Sequence, residues 1–195
     1  MNAKSEILGR LRASLSDAPA APEVPRAYRR RSSSGAAQVR EMLVDRLVDY
    51  RAGVHSASVA ELPDVLAGLV EGPVVLPSGL DRGWLPEVEE VVDPLAAACV
   101  ITSSTVACAE TGTIILTGRA DEGHRALSLI PDHHICLVPA ETIVELFPEA
   151  WERVADAGLD GPITMISGPS ATSDIELERV EGVHGPRRLD VVIVG

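Results

Sequence analysis

The sequence predicts an α/β fold, a mostly parallel sheet with helices on both faces. Apolar runs of about five residues alternate along the chain with helical stripes. Such runs are apolar on both sides, as strands covered by crossover helices must be. Aromatic residues are 3% of the chain and hydrophobic residues 46%, so Val, Leu, Ile and Ala fill the core, which suits helices packed closely on buried strands. At 195 residues the chain has the mass for one good core and is short for two.

Residues 1–15 put Ile7, Leu8, Leu11 and Leu15 on one helical face, with Asn2 or Ser5 available as N-cap, and read as an N-terminal helix. Residues 16–36 carry Pro19, Pro22 and Pro25, an arginine run at 29–31 and a serine run at 32–34, and read as a flexible linker. The arginines are either a docking patch for an acidic partner or solvated linker, and solvated linker is the simpler reading. Residues 37–195 form the regular α/β domain. Val39, Leu43, Leu47 and Tyr50 make a helix stripe, an apolar piece follows near Val54, and Leu62, Val65, Leu66 and Leu69 make a second stripe. Strands are expected at 73–76, 100–102, 113–117, 134–138, 163–166 and 190–194. Residues 141–157 show the broadest helical face, interrupted by Pro148, which either kinks it or starts a second helix.

A net charge of -12 repels phosphate backbones and anionic lipid, which argues against nucleic-acid partners. Cys99, Cys108 and Cys136 are an odd number without Cys-x-x-Cys spacing, which fits a reducing cytoplasm better than a disulfide framework. The charges within residues 1–15 do not suit a signal peptide, and no apolar stretch is long enough to span a bilayer. The expected location is the cytoplasm, with no membrane insertion.

Ligands of open parallel sheets usually bind beyond the carboxyl ends of the strands, which directs attention to loops. Three stand out: Ala109-Glu110-Thr111-Gly112-Thr113, the segment from Ser167-Gly168-Pro169-Ser170 through Thr172 to Asp174-Ile175-Glu176, and Gly182-Val183-His184-Gly185-Pro186-Arg187. Glu110 is a candidate acid, base or nucleophile, or else a paired structural carboxylate. His184, between glycines, either moves protons or only holds a tight turn. Thr111, Gly112, Thr113, Ser167, Gly168, Ser170, Thr172, Asp174, Gly185 and Arg187 are candidate ligand-binding positions. The hydroxyls and Gly168 suit an anion, although ordinary helix capping explains Ser, Thr and Asp equally well. Arg187 has the planar fork that grips a carboxylate. The loops are expected to meet in one crevice, Glu110 being the weakest member because it precedes a strand. No metal site is expected: His133, His134 and Cys136 sit on a strand whose adjacent side chains point to opposite faces, and three scattered thiols do not build an iron-sulfur site. No dinucleotide or Walker fingerprint is present.

On these three loops, and on the opening Ile7-Leu8 with Arg10-Leu11-Arg12, the sequence resembles the LUD-domain family over nearly its whole length outside the linker. The resemblance implies the fold of glucosamine-6-phosphate deaminase, ribose-5-phosphate isomerase and CoA transferases. It also implies a part in oxidising L-lactate to pyruvate beside two iron-sulfur partner proteins, this chain being the cluster-free component. A stand-alone isomerase or transferase acting on a sugar phosphate or CoA thioester is the alternative. Fold kinship alone is only analogy for mechanism. Purified anaerobically, the chain is expected to show neither stoichiometric iron nor a flavin spectrum. Metal analysis and visible absorption check this, and either signal would contradict it.

Overall fold

The computed structural model describes residues 2–16, 23–158, 161–172, 180–182 and 184–195. In chain order these hold α1 (Ala3–Ser14), α2 (Ala36–Asp49), β1 (Gly53–Ala57), α3 (Leu62–Leu69), β2 (Val74–Val75), β3 (Glu90–Val91), β4 (Cys99–Thr102), β5 (Val106–Cys108) and β6 (Thr113–Leu116). Then come α4 (Arg125–Leu129), β7 (His133–Pro139), β8 (Ile143–Val144), α5 (Phe147–Asp156), β9 (Thr164–Ile166), β10 (Ala171–Thr172), β11 (Val180–Glu181) and β12 (Arg188–Val194). Six strands form a wholly parallel sheet in the order β1-β12-β7-β4-β2-β3. The expected α/β class is therefore present.

β7 and β12 are interior strands of that sheet, and almost every residue in them is buried, which is why they read as continuous apolar runs. Their alternating side chains feed two separate cores. Cys136, Val138, Leu189, Val191 and Ile193 pack against Val39, Leu43 and Leu47 of α2, whose i, i+4 spacing lays one stripe on the sheet. Ile135, Leu137, Val192 and Val194 pack on the opposite face against Leu62, Leu66 and Leu69 of α3.

The sheet is not the only one. β5, β6, β8 and β9 form a second, mixed sheet in the order β8-β5-β6-β9. Ala107, Ile114 and Leu116 of this sheet join α2 in covering the large sheet, while Val106, Cys108 and Ile115 pack against Ala150 and Val154 of α5. The strands expected at 113–117 and 163–166 thus exist but leave the main sheet. The reason is local: only four residues separate β5 from β6, too few for a crossover, so the two pair antiparallel as a hairpin. The Ala109-to-Thr113 segment is the turn of that hairpin rather than a strand-to-helix loop.

Pro148 settles the 141–157 segment. A 3₁₀ turn at Ala140–Thr142 and β8 precede α5, and Pro148 sits in the first turn of α5, where its missing N–H has no intrahelical partner to lose. The Leu146 N–H donates to the Glu149 carboxylate (3.0 Å), closing that helix start.

The N-terminal segment divides in two. α1 is capped by the Asn2 side chain and buries none of its residues, leaving Ile7, Leu8, Leu11 and Leu15 exposed. Within the 16–36 segment, by contrast, Arg29 reaches Glu110 (3.0 Å) and Glu145 (3.3 Å), and Arg31 pairs with Glu152 (2.6 Å). The Ser32 hydroxyl donates to Glu145 and its N–H to Glu149 (3.2 Å). Glu145 is almost fully buried, and the Ser32 and Ser34 hydrogen bonds hold its carboxyl below the usual range, with Arg29 adding to them. Among the described residues no helix is long and apolar enough to cross a membrane.

Leu43 is fully buried between α2 and both sheets. Leu43→Ala is expected to lower unfolding stability by about 2–5 kcal/mol, because the rigid layers around it cannot close the cavity. Urea denaturation checks the value.

Candidate functional site

Two of the signature loops meet through Tyr50 and a hydroxyl pair. Gly112 and Gly168 both have positive φ, and a Cβ at Gly168 would stand 2.6 Å from the Tyr50 Cβ, so only glycine lets this loop pass the end of α2. Beside it the Thr113 Oγ1 lies 2.9 Å from the Ser167 Oγ, and the Thr111 hydroxyl donates to Thr113 (2.8 Å). The third loop joins the second through backbone contacts. The Ser170 N–H donates to the Pro186 carbonyl, the Gly182 N–H to the Ser170 carbonyl (2.8 Å each), and the His184 N–H to the Ser170 Oγ (3.2 Å). Ser170 is the hub of the arrangement.

These contacts wall a cavity of about 280 Å³ lined by Ser167, Gly168, Ser170, His184 and Gly185, together with Ser128, His134, Leu189 and Arg125. It is small enough for a metabolite of a few heavy atoms, and Leu129, Ile163, Met165 and Ile166 add apolar surface to its wall. Arg125, at the start of α4, is exposed and makes no side-chain hydrogen bond or ion pair among the described residues. No carboxylate stands among the described residues that line the cavity. In a chain of net charge -12, a cavity whose described lining offers a guanidinium without a partner among the described residues, hydroxyls and no acid has the chemistry of an anion site.

Several expected positions lie elsewhere. Glu110 does not line the cavity; it is held by Arg29, which makes it a paired carboxylate in this structure. Arg187 turns to Asp132 (3.4 Å) and packs over Gly182, so it does not line the cavity as the clamp expected of it, and Arg125 stands there instead. Thr172 belongs to β10, paired with Val180, and Asp174 lies outside the described residues. The cavity also sits at the amino-terminal ends of β7 and β12, not beyond their carboxyl ends, because the Gly- and Ser-rich segments precede β12 instead of following a strand of the large sheet.

The fold and these loops have known counterparts. The LUD domain family matches residues 92–194, which contain all three loops. The chain belongs to the LUD-domain family. It is 47% identical over 171 residues to the lactate utilization protein C of Deinococcus radiodurans, an alignment covering 82% of this chain and 81% of that protein. It is 34% identical to the protein of the same name from Anoxybacillus flavithermus, over 48% of this chain and 42% of that one. Among solved structures it resembles the 1.70 Å crystal structure of a DUF162 family protein from Deinococcus radiodurans, with 39% identity and a TM-score of 0.73, covering 83% of this chain and 99% of that chain.

Sequence reading of this LUD domain missed Arg125, Ser128 and His134 at the cavity; a lone arginine at the start of a five-residue helix carries no pattern, and only the fold brings it beside Ser170. His133 and His134 do point to opposite faces. His134 faces the cavity side, its Nε2 2.8 Å from the Thr102 Oγ1, and complete burial, reinforced by the charge of His133, pulls its pKa down to about 3. His133 meets a cluster on the other face. The buried Asp190 carboxylate accepts from His55 Nε2, His133 Nε2 and Arg188 Nε, each at 2.8 Å, and Arg188 continues to Glu71 (3.1 Å). Burial alone would push the Asp190 carboxyl up, but the two imidazoles and the guanidinium outweigh it and hold it far below the carboxylate range. Among the described residues no group of three or more His, Cys, Asp or Glu is placed to hold a metal ion.

A histidine held neutral in the fold binds fewer protons than its unfolded counterpart between pH 6.5 and about 3, so its stabilisation is complete above that window and falls with pH inside it. Unfolding free energy measured from pH 7.5 down to 4.5 is expected to decline, and His134→Gln, which keeps a hydrogen-bonding partner for Thr102, is expected to flatten the slope. An unchanged slope would locate the sensitivity elsewhere.

Proposed function

We propose that this LUD domain is the cluster-free component of a lactate utilisation system that oxidises L-lactate to pyruvate, with the cavity between its second and third loops holding the small carboxylate. The observation that carries the reading is Arg125, a guanidinium without a partner among the described residues, on a cavity whose described lining contains no acid. A carboxylate would take two parallel hydrogen bonds from it, while Ser128, Ser167 and Ser170 offer donors and acceptors for a neighbouring hydroxyl or carbonyl oxygen. His184 is an exposed imidazole on the same wall and the group assigned to take the proton of the substrate hydroxyl, while hydride from the hydroxyl-bearing carbon goes to the electron acceptor.

Oxidation of a 2-hydroxy acid to a 2-oxo acid removes two electrons and two protons, so an electron acceptor is required. The residues of this chain do not fit an iron-sulfur cluster: Cys99, Cys108 and Cys136 are each buried on separate strands, and burial pushes the Cys99 and Cys136 thiols up to about 11 and 12. The reading therefore assigns the clusters to two iron-sulfur partner proteins and places the system in the cytoplasm. The names of the relatives, lactate utilization protein C, support the lactate assignment.

Titration of L-lactate or pyruvate into the isolated chain tests the site. Arg125→Gln is expected to weaken binding about 10- to 100-fold, the worth of one charged hydrogen-bonded contact, with the melting temperature unchanged. Equal affinity in the variant, or preferential binding of a sugar phosphate, would overturn the assignment.

A further inference from the structure

The charge of this protein is segregated along the chain. Residues 1–35 hold seven Lys or Arg against three Asp or Glu, and residues 36–195 hold ten against twenty-six. Part of this basic arm is already bound to the acidic domain, through Arg29 to Glu110 and Glu145 and through Arg31 to Glu152. The rest is uncommitted. Arg10 pairs within α1 with Glu6, while Lys4, Arg12, Arg26 and Arg30 have no ion pair among the described residues.

α1 is a helix whose apolar face no described residue buries. Ile7, Leu8, Leu11 and Leu15 follow one stripe and are between 37% and 64% exposed, although a twelve-residue helix is marginal without tertiary packing. The domain carries a groove of matching character, about 490 Å³, between the start of α2 and the end of β7. It is lined by Ala36, Ala37, Val44 and Ala140 together with Arg40 and Glu41. Arg40 is engaged with Ser56 (2.8 Å), whereas Glu41, and Glu141 next to Ala140 in the chain, have no ion pair among the described residues. A basic amphipathic helix from the arm and an apolar groove on the acidic domain, with Glu41 in its lining and Glu141 following Ala140, are complementary.

We propose that α1 of one molecule docks in this groove of a second copy of the same chain, giving a reciprocal dimer. In the structure α1 buries none of its residues, and the strap at Arg29 to Ser32 is tied to the acidic residues that follow β8 and open α5. The fourteen residues at 15–28 reach up to roughly 45–50 Å, enough to cross to a neighbour. Exchange of an identical arm buries two stripes in two grooves and closes the assembly, with the excess acid of each domain facing the basic arm of the other.

Two single variants, Leu11→Cys and Ala37→Cys, test the contact in the full chain, since the three native cysteines are buried. Mixed and oxidised, they are expected to form a covalent heterodimer faster than either variant alone. Light scattering across a concentration series is expected to show a dimer whose midpoint rises at least tenfold for Leu11→Asp, for Ala37→Glu and in high salt. Both positions are exposed, so the melting temperature of the dilute monomer is expected to hold. A monomer at all concentrations overturns the proposal, as does a dimer indifferent to both substitutions. An intramolecular cross-link in the Leu11→Cys/Ala37→Cys double variant, forming at a concentration-independent rate, would assign the helix to its own groove instead.

Discussion

The parallel pairing of β7 with β12, seven residues in register from His133 beside Arg188 to Pro139 beside Val194, is the constraint on which the rest depends. Buried on both faces, the pair divides every adjacent couple of side chains between two environments. On one face lies a core shared with α3, on the other a core shared with α2 and the second sheet. A one-residue slip of this register would turn each apolar set into the wrong layer.

The same alternation sets the electrostatics at the amino-terminal ends of these strands. His134 and Leu189 face the cavity side, whereas His133 and Asp190 face the other. A buried carboxylate costs several kcal/mol unless satisfied, and Asp190 is satisfied by three donors that come from β1, β7 and β12. It therefore ties three strands at the edge where the cavity opens on the reverse side. His134 takes the opposite solution, staying neutral and hydrogen-bonded to Thr102, so the cavity wall gains no fixed charge from it. Arg125 is left as the only charged side chain among the described lining residues.

Glu110 and Glu145 show how the N-terminal segment becomes part of the domain. Both carboxylates come from the second sheet and its turns, and Arg29 bridges them. The exposed Arg29 pairs add little by themselves, since solvent screens them. The buried Glu145 matters more, because removing Ser32 and Arg29 would leave a desolvated carboxylate with fewer partners.

The sequence by itself determined the α/β class, the helical stripe Val39-Leu43-Leu47, the six expected strand positions and the three loops, because periodicity and small-residue clusters are local properties. Family membership was likewise legible, carried by Ala109 to Thr113, Ser167 to Ser170 and Gly182 to Arg187. Only the tertiary structure decided which strands pair. The short turn at Glu110 turns one expected sheet into two, and strand exchange between sheets leaves no mark in the apolar pattern. It also decided which charges are engaged: Arg187 and Glu110 looked available and are held by Asp132 and Arg29, while Arg125, unremarkable in the chain, has no partner among the described residues. Pairing of charges depends on distances across 55 to 81 residues of chain, which no local spacing encodes.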